Sequence, residues 1–92
     1  ARYTSAVKDL GAVAALGALR WSVRQGGADA ARVQLRTCAT IDGCAAEPWL
    51  EVAPGATPTA PPRRFAQYQV ELRGDGDVPT ALDWIELAYL VR

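Results

Sequence analysis

The chain has 92 residues, half of them hydrophobic, with 10 basic and 10 acidic side chains and therefore no net charge. That length supports one domain over residues 1–92 with a real core, and the apolar content is too high for a disordered chain. Neutral balance argues against a dedicated nucleic-acid binder, which carries a basic excess. The sequence contains no His. Ser-His-Asp and Cys-His catalytic sets are thereby excluded within the chain, and so is a Cys/His zinc site.

Tyr3 to Leu10 reads as a first strand, with Tyr3, Ser5 and Val7 alternating against Thr4, Ala6 and Lys8 and Gly11 ending it. Ala12 to Leu19 is Ala-rich, which favours helix, but Gly11 and Gly17 would each cost about 1 kcal/mol relative to Ala in one. No good N-cap precedes it, so a short irregular connection is expected, with a helix from Ser5 to Trp21 as the rival. Leu19, Trp21 and Val23 then alternate with Arg20, Ser22 and Arg24, and Val33 and Leu35 with Arg32, Gln34 and Arg36. Around the turn residues Gln25–Asp29 the two segments read as an antiparallel hairpin. It would bury Trp21, Val23, Val33 and Leu35 and put Arg20, Arg24, Arg32 and Arg36 on one outer face.

Cys38 and Cys44 flank a segment containing Asp42-Gly43, a strong turn signal. A tight loop closed by a disulfide fits, and a disulfide points to an oxidising, extracellular compartment. Two free buried thiols in a cytosolic protein are the alternative. Pro48 to Val52 reads as an edge segment, because Pro48 cannot donate a ladder hydrogen bond. Four prolines in residues 54–62 mark a loop, read as a crossover between sheets or as an interaction loop. Ala66, Tyr68, Val70 and Leu72 alternate with Gln67, Gln69, Glu71 and Arg73, the clearest strand in the chain. A last strand runs from Leu82 to Arg92. It would turn Ile85, Leu87, Tyr89 and Val91 inward and Trp84, Glu86, Ala88 and Leu90 outward, and it pairs naturally with the preceding strand. Short strands broken by Gly and Pro argue for an all-β antiparallel β-sandwich. No apolar run is long enough for a transmembrane helix, so membrane insertion is not expected. The chain opens directly into patterned sequence with no signal peptide in view.

Two separated segments together resemble a known module. Tyr3-Thr4-Ser5-Ala6-Val7-Lys8-Asp9-Leu10-Gly11 is followed by Leu19-Arg20-Trp21 and Val33-Gln34-Leu35-Arg36-Thr37. Arg64-Phe65-Ala66-Gln67-Tyr68-Gln69-Val70-Glu71-Leu72 is followed by Pro79-Thr80-Ala81-Leu82-Asp83-Trp84-Ile85-Glu86-Leu87-Ala88-Tyr89. These resemble the jelly-roll modules of secreted prokaryotic proteins, related in shape to galactose-binding-like, discoidin-type sandwiches. Phe65 stands where Tyr is usual, Pro79-Thr80 inverts the usual order, and the cysteine loop replaces a plain turn. The resemblance implies a jelly-roll fold and a non-catalytic accessory or adhesive role, in some members with glycan binding or a structural calcium. Its matching residues are core and turn positions, so they speak for fold more than for function.

Candidate sites follow from residue chemistry. Asp75 and Asp77, with Glu71, Asp83 and Asp9 as further carboxylates, could ligate Ca²⁺; an ordinary solvated turn is the plainer reading, and no other cofactor is expected. Arg73-Gly74-Asp75 spells an adhesion tripeptide that chance alone accounts for. The four arginines could meet an acidic polysaccharide or a partner protein. Trp84 and Leu90 would be exposed apolar groups, suited to stacking on a sugar or to burial under another domain or copy, unless the proline-rich loop covers them. Trp49 is a second aromatic for a binding site, or else core. The expectation is a non-enzymatic extracellular module that contacts other protein domains or copies of itself, with carbohydrate binding as the alternative.

Overall fold

A computed structural model describes residues 2–23, 31–72 and 82–92, leaving aside the side chain of Asp83. Its strands are β1 (Arg2–Thr4), β2 (Lys8–Asp9), β3 (Val13–Val23), β4 (Ala31–Cys38), β5 (Leu50–Val52), β6 (Phe65–Leu72) and β7 (Leu82–Val91), with a 3-10 helix over Asp42–Ala46. They form two antiparallel sheets packed face to face, an all-β sandwich. Sheet A runs β1-β6-β4-β5, with β2 beside β6 further along the edge that β1 occupies; sheet B is β3 paired with β7.

The alternation that marks Leu19, Trp21, Val23, Val33, Leu35, Ala66 and Val70 is the core itself. All are buried in one cluster, with Tyr68, Leu72, Ile85 and Leu87 packed against it. The partners differ from those expected. The segments around Trp21 and Val33 are not a hairpin: β3 pairs with β7, and β4 pairs with β5 and β6. Likewise β6 pairs with β4, β1 and β2, not with β7. The same inward side chains meet across the sandwich instead of along one sheet. Alternation reports which face is buried, and says nothing about which strand lies alongside.

The Ala-rich stretch is neither irregular nor helical but the first half of β3. Its pairing to β7 carries register shifts between Val13 and Ala15 and between Leu16 and Leu19. Strand pairing and burial override the helix preference of alanine. Gly17 belongs here for a spatial reason, since a Cβ on it would lie 3.1 Å from the Ala88 Cβ. Gly11, at φ 78°, turns the chain from β2 into β3.

The expected first strand is two short ones. Four residue steps separate Thr4 from Lys8, while three separate their partners Gln69 and Ala66. One residue is therefore extra, a bulge. Ser5 holds it: its N–H donates to the Tyr68 carbonyl at 2.9 Å, and its Oγ accepts from the Tyr68 N–H at 3.0 Å. The bulge reverses the faces beyond it. Lys8, opposite buried Ala66, comes to the inner face, and Val7 packs outside against Cys38, Cys44 and Phe65.

β5 is the edge strand of sheet A, as Pro48 suggested. The proline-rich segment is a loop, but it leaves and re-enters sheet A, joining the parallel strands β5 and β6 across β4, and so does not cross between sheets. It closes the outer edge of β3, where Gly55 N–H donates to Leu19 O and Leu19 N–H to Ala56 O, both at 2.9 Å. Cys38 and Cys44 form a disulfide. With Phe65 they make a second small core on the side of sheet A away from sheet B.

Candidate interaction surface

The two outer faces of the sandwich differ in chemistry. On sheet A, away from the small Cys38–Phe65 core, the outward positions are polar and satisfy one another. Arg36 Nε and Nη2 donate to Gln67 Oε1 at 2.9 and 2.6 Å, Gln69 Nε2 donates to Gln34 Oε1 at 2.9 Å, and Arg2 pairs with Glu71 at 3.3 Å. Arg32 pairs with Glu51, whose carboxylate raises the guanidinium pKa through a side-chain hydrogen bond. Trp49 lies under Arg36, whose guanidinium carbon is 4.0 Å from the ring centroid. Trp49 is thus neither core nor an open stacking platform. It is half-buried and one of its faces is already occupied.

The four arginines do not form one face. Arg32 and Arg36 lie on the outside of sheet A, and Arg20, opposite Glu86, on the outside of sheet B. Arg24 lies outside the described residues, as do Asp75, Asp77 and the Arg73-Gly74-Asp75 tripeptide. The expected basic face fails because β3 and β4 belong to different sheets. Two of the further carboxylates are otherwise engaged: Glu71 holds Arg2, and Asp9 accepts from Arg64 Nε at 3.1 Å and Nη2 at 3.0 Å; the side chain of Asp83 lies outside the described residues. No group of three or more metal-ligating side chains sits together among the described residues, and no described helix is long and apolar enough to cross a membrane.

Arg64 and the Gly11 N–H hold the Asp9 carboxyl below its ordinary 3.8. A depressed carboxyl contributes stability above its unfolded value and loses it as pH falls through the folded one. A carbon-detected NMR titration should find the Asp9 midpoint below 3.8 and moving upward in Arg64→Ala. An unchanged midpoint in that variant would show that Arg64 is not the cause.

The outside of sheet B is the apolar face. Trp84 is 51% exposed and Leu90 67% exposed, as the strand alternation requires. Between them stand Glu86 and Ala88, and beside Ala88 lies Gly17. Arg20 faces Glu86 across the pair, yet no ion pair joins them among the described residues. The proline-rich loop does not cover this face, since it docks on the far edge of β3. Tyr89 and Val91, expected inside, are 40% and 61% exposed. The end of β7 reaches past the core, held by Val13–Val91 pairing and by Arg92 N–H on Ala12 O at 2.8 Å.

The free side of β7 is also open inward. A cleft of about 330 Å³ runs between the sheets there, lined by Lys8, Leu10, Tyr68, Ile85, Leu87 and Tyr89 among others. Among the described residues sheet B has two strands over a sheet four strands wide, so none of its strands covers the inner face of β1 and β2. Tyr3, opposite buried Val70, belongs to that face and is 56% exposed, its ring centroid 6.0 Å from that of Tyr68. Neither Tyr3 nor Lys8 stands out as a site residue in the sequence. The bulge at Ser5 that turns Lys8 inward leaves no signal in the residue pattern. Comparison of the chain with protein-family models, curated proteins and solved structures found no match.

Proposed function

We propose that this domain is a non-catalytic contact module, whose outer face on sheet B binds another protein domain or a second copy. The observation that supports this reading is the exposure of Trp84 and Leu90 on one face, with Glu86 and Ala88 between them and Gly17 beside Ala88. Aromatic anchors beside small residues suit close approach by a partner. The opposite face has its polar groups already paired, which leaves it little to offer. The disulfide favours an extracellular setting, as an appended or repeating domain. This agrees with the galactose-binding-like, jelly-roll resemblance.

Carbohydrate binding is the second reading, and it rests on the open indole of Trp84. A photo-crosslinking residue at position 84, compared with one at position 34 on sheet A, separates the readings. The contact module predicts protein adducts from position 84 and none from position 34. Equal yields from both positions would overturn it. Glycan-array binding that disappears in Trp84→Ala, without adducts, would replace it with the carbohydrate reading.

A further inference from the structure

The domain exposes two surfaces that fit each other. One is the outer face of β7, where Trp84, Glu86 and Leu90 project. The other is the ledge on β1 and β2, where Tyr3, Lys8 and Leu10 project inward beside Tyr68 with no strand of the described residues paired to β7 above them. The ledge is as wide as one strand, because among the described residues sheet B has no strand on the free side of β7 while the proline-rich loop fills the β3 side.

We infer that the ledge is the docking site for β7 of a second copy, so that two copies exchange this contact reciprocally. The reading rests on the contact function proposed for the Trp84 face and names its partner. A two-fold axis running along β7 carries each outer face over the other's ledge. Sheet B would then lie four strands wide across both copies, matching sheet A beneath it.

The chemistry of the two surfaces is complementary in kind. Lys8 is the cation of the ledge, and no carboxylate pairs with it among the described residues. Glu86 is the anion of the β7 face, flanked by Trp84 and Leu90, and it also lacks a partner there. Lys8 lines the same cleft as Ile85, Leu87 and Tyr89, a span of β7 that includes Glu86. Docking brings Glu86 of one copy to Lys8 of the other, and lays Trp84 and Leu90 on the apolar side chains of the ledge. An isologous interface needs such self-complementarity, in which one residue meets a second and the second meets the first. A buried opposite pair fixes register, and a like-charge pair in the same place repels.

Sedimentation velocity from micromolar to millimolar concentration tests this. The wild type should pass from monomer to dimer. Lys8→Glu and Glu86→Lys should each weaken the dimer by roughly tenfold or more, since each sets like charges together. The double reversal should return it close to the wild-type constant, the mark of a direct pair. Both positions are exposed in the single chain, and unchanged circular dichroism would show that the variants fold. A wild type that stays monomeric throughout would overturn the inference. So would a dimer that is indifferent to both charge reversals. If that indifferent dimer is lost in Trp84→Ser, the contact reading stands while the docking site is wrong.

Discussion

Truncating Leu19 to Ala is expected to lower the unfolding free energy by about 2–5 kcal/mol, the range for a leucine removed from a packed core. Leu19 is 1% exposed at the centre of the main cluster. It stands opposite Leu87 on β7, and its backbone carries both hydrogen bonds that hold Gly55 and Ala56 against the edge of β3. A cavity there cannot collapse easily, because the loop on one side and β7 on the other are tied to the same strand. Leu90→Ala, measured where the chain is monomeric, is the matched control. Its side chain is exposed, so a change within about 0.5 kcal/mol is expected. Urea unfolding of the two variants measures both. Equal losses would mean that β3 and β7 do not present the faces described.

Reduction of the Cys38–Cys44 bridge is expected to cost about 2 kcal/mol from loop entropy alone, for a closed ring of about seven residues. A further loss follows from disturbing the small core, since both cysteines are buried against Phe65, with Val7 packed beside them. The ring also places the chain that follows. Glu47 accepts from Arg63 at 2.7 Å, and its carbonyl accepts from Arg36 Nη1 at 3.3 Å. Thr37 Oγ1 donates to the Pro61 carbonyl at 2.7 Å. The cysteine loop, the end of the proline-rich loop and the end of β4 therefore support one another. Urea midpoints with and without reductant, and of a Cys38→Ala/Cys44→Ala variant, should fall together. An unchanged midpoint on reduction would show that the bridge adds nothing to the fold.

The faces of this fold are legible in the sequence, and its pairings are not. Period-two alternation identifies Leu19, Trp21, Val23, Val33, Leu35, Ala66 and Val70 as inward, and burial follows. Trp84 and Leu90 are exposed for the same reason. The bridge is readable from the turn chemistry at Asp42-Gly43. What alternation cannot supply is the neighbour of each strand, because a buried face is satisfied equally by a hairpin partner or by a strand in the opposite sheet. A single arginine face requires β3 to pair with β4, and it separates because those strands sit in different sheets. The strand over Val13–Leu16 is hidden by alanine, whose intrinsic preference points to helix until β7 lies beside it. The bulge at Ser5 is the least visible feature. It rests on one extra residue and on the Ser5 N–H and Oγ held to the backbone of Tyr68, yet it moves Lys8 from one face of the sheet to the other.

The central claim is that the Trp84 face on the outside of sheet B and the Tyr3–Lys8–Leu10 ledge left by the unequal sheets are one interface seen from its two sides. A dilution series followed by amide NMR tests this most directly. Shifts should move with concentration at both surfaces together, around Trp84–Leu90 on β7 and around Tyr3 and Lys8–Leu10, while Gln34, Arg36 and Trp49 on the outside of sheet A stay still. Movement confined to the outside of sheet A, or at only one of the two surfaces, or none at all, would contradict it.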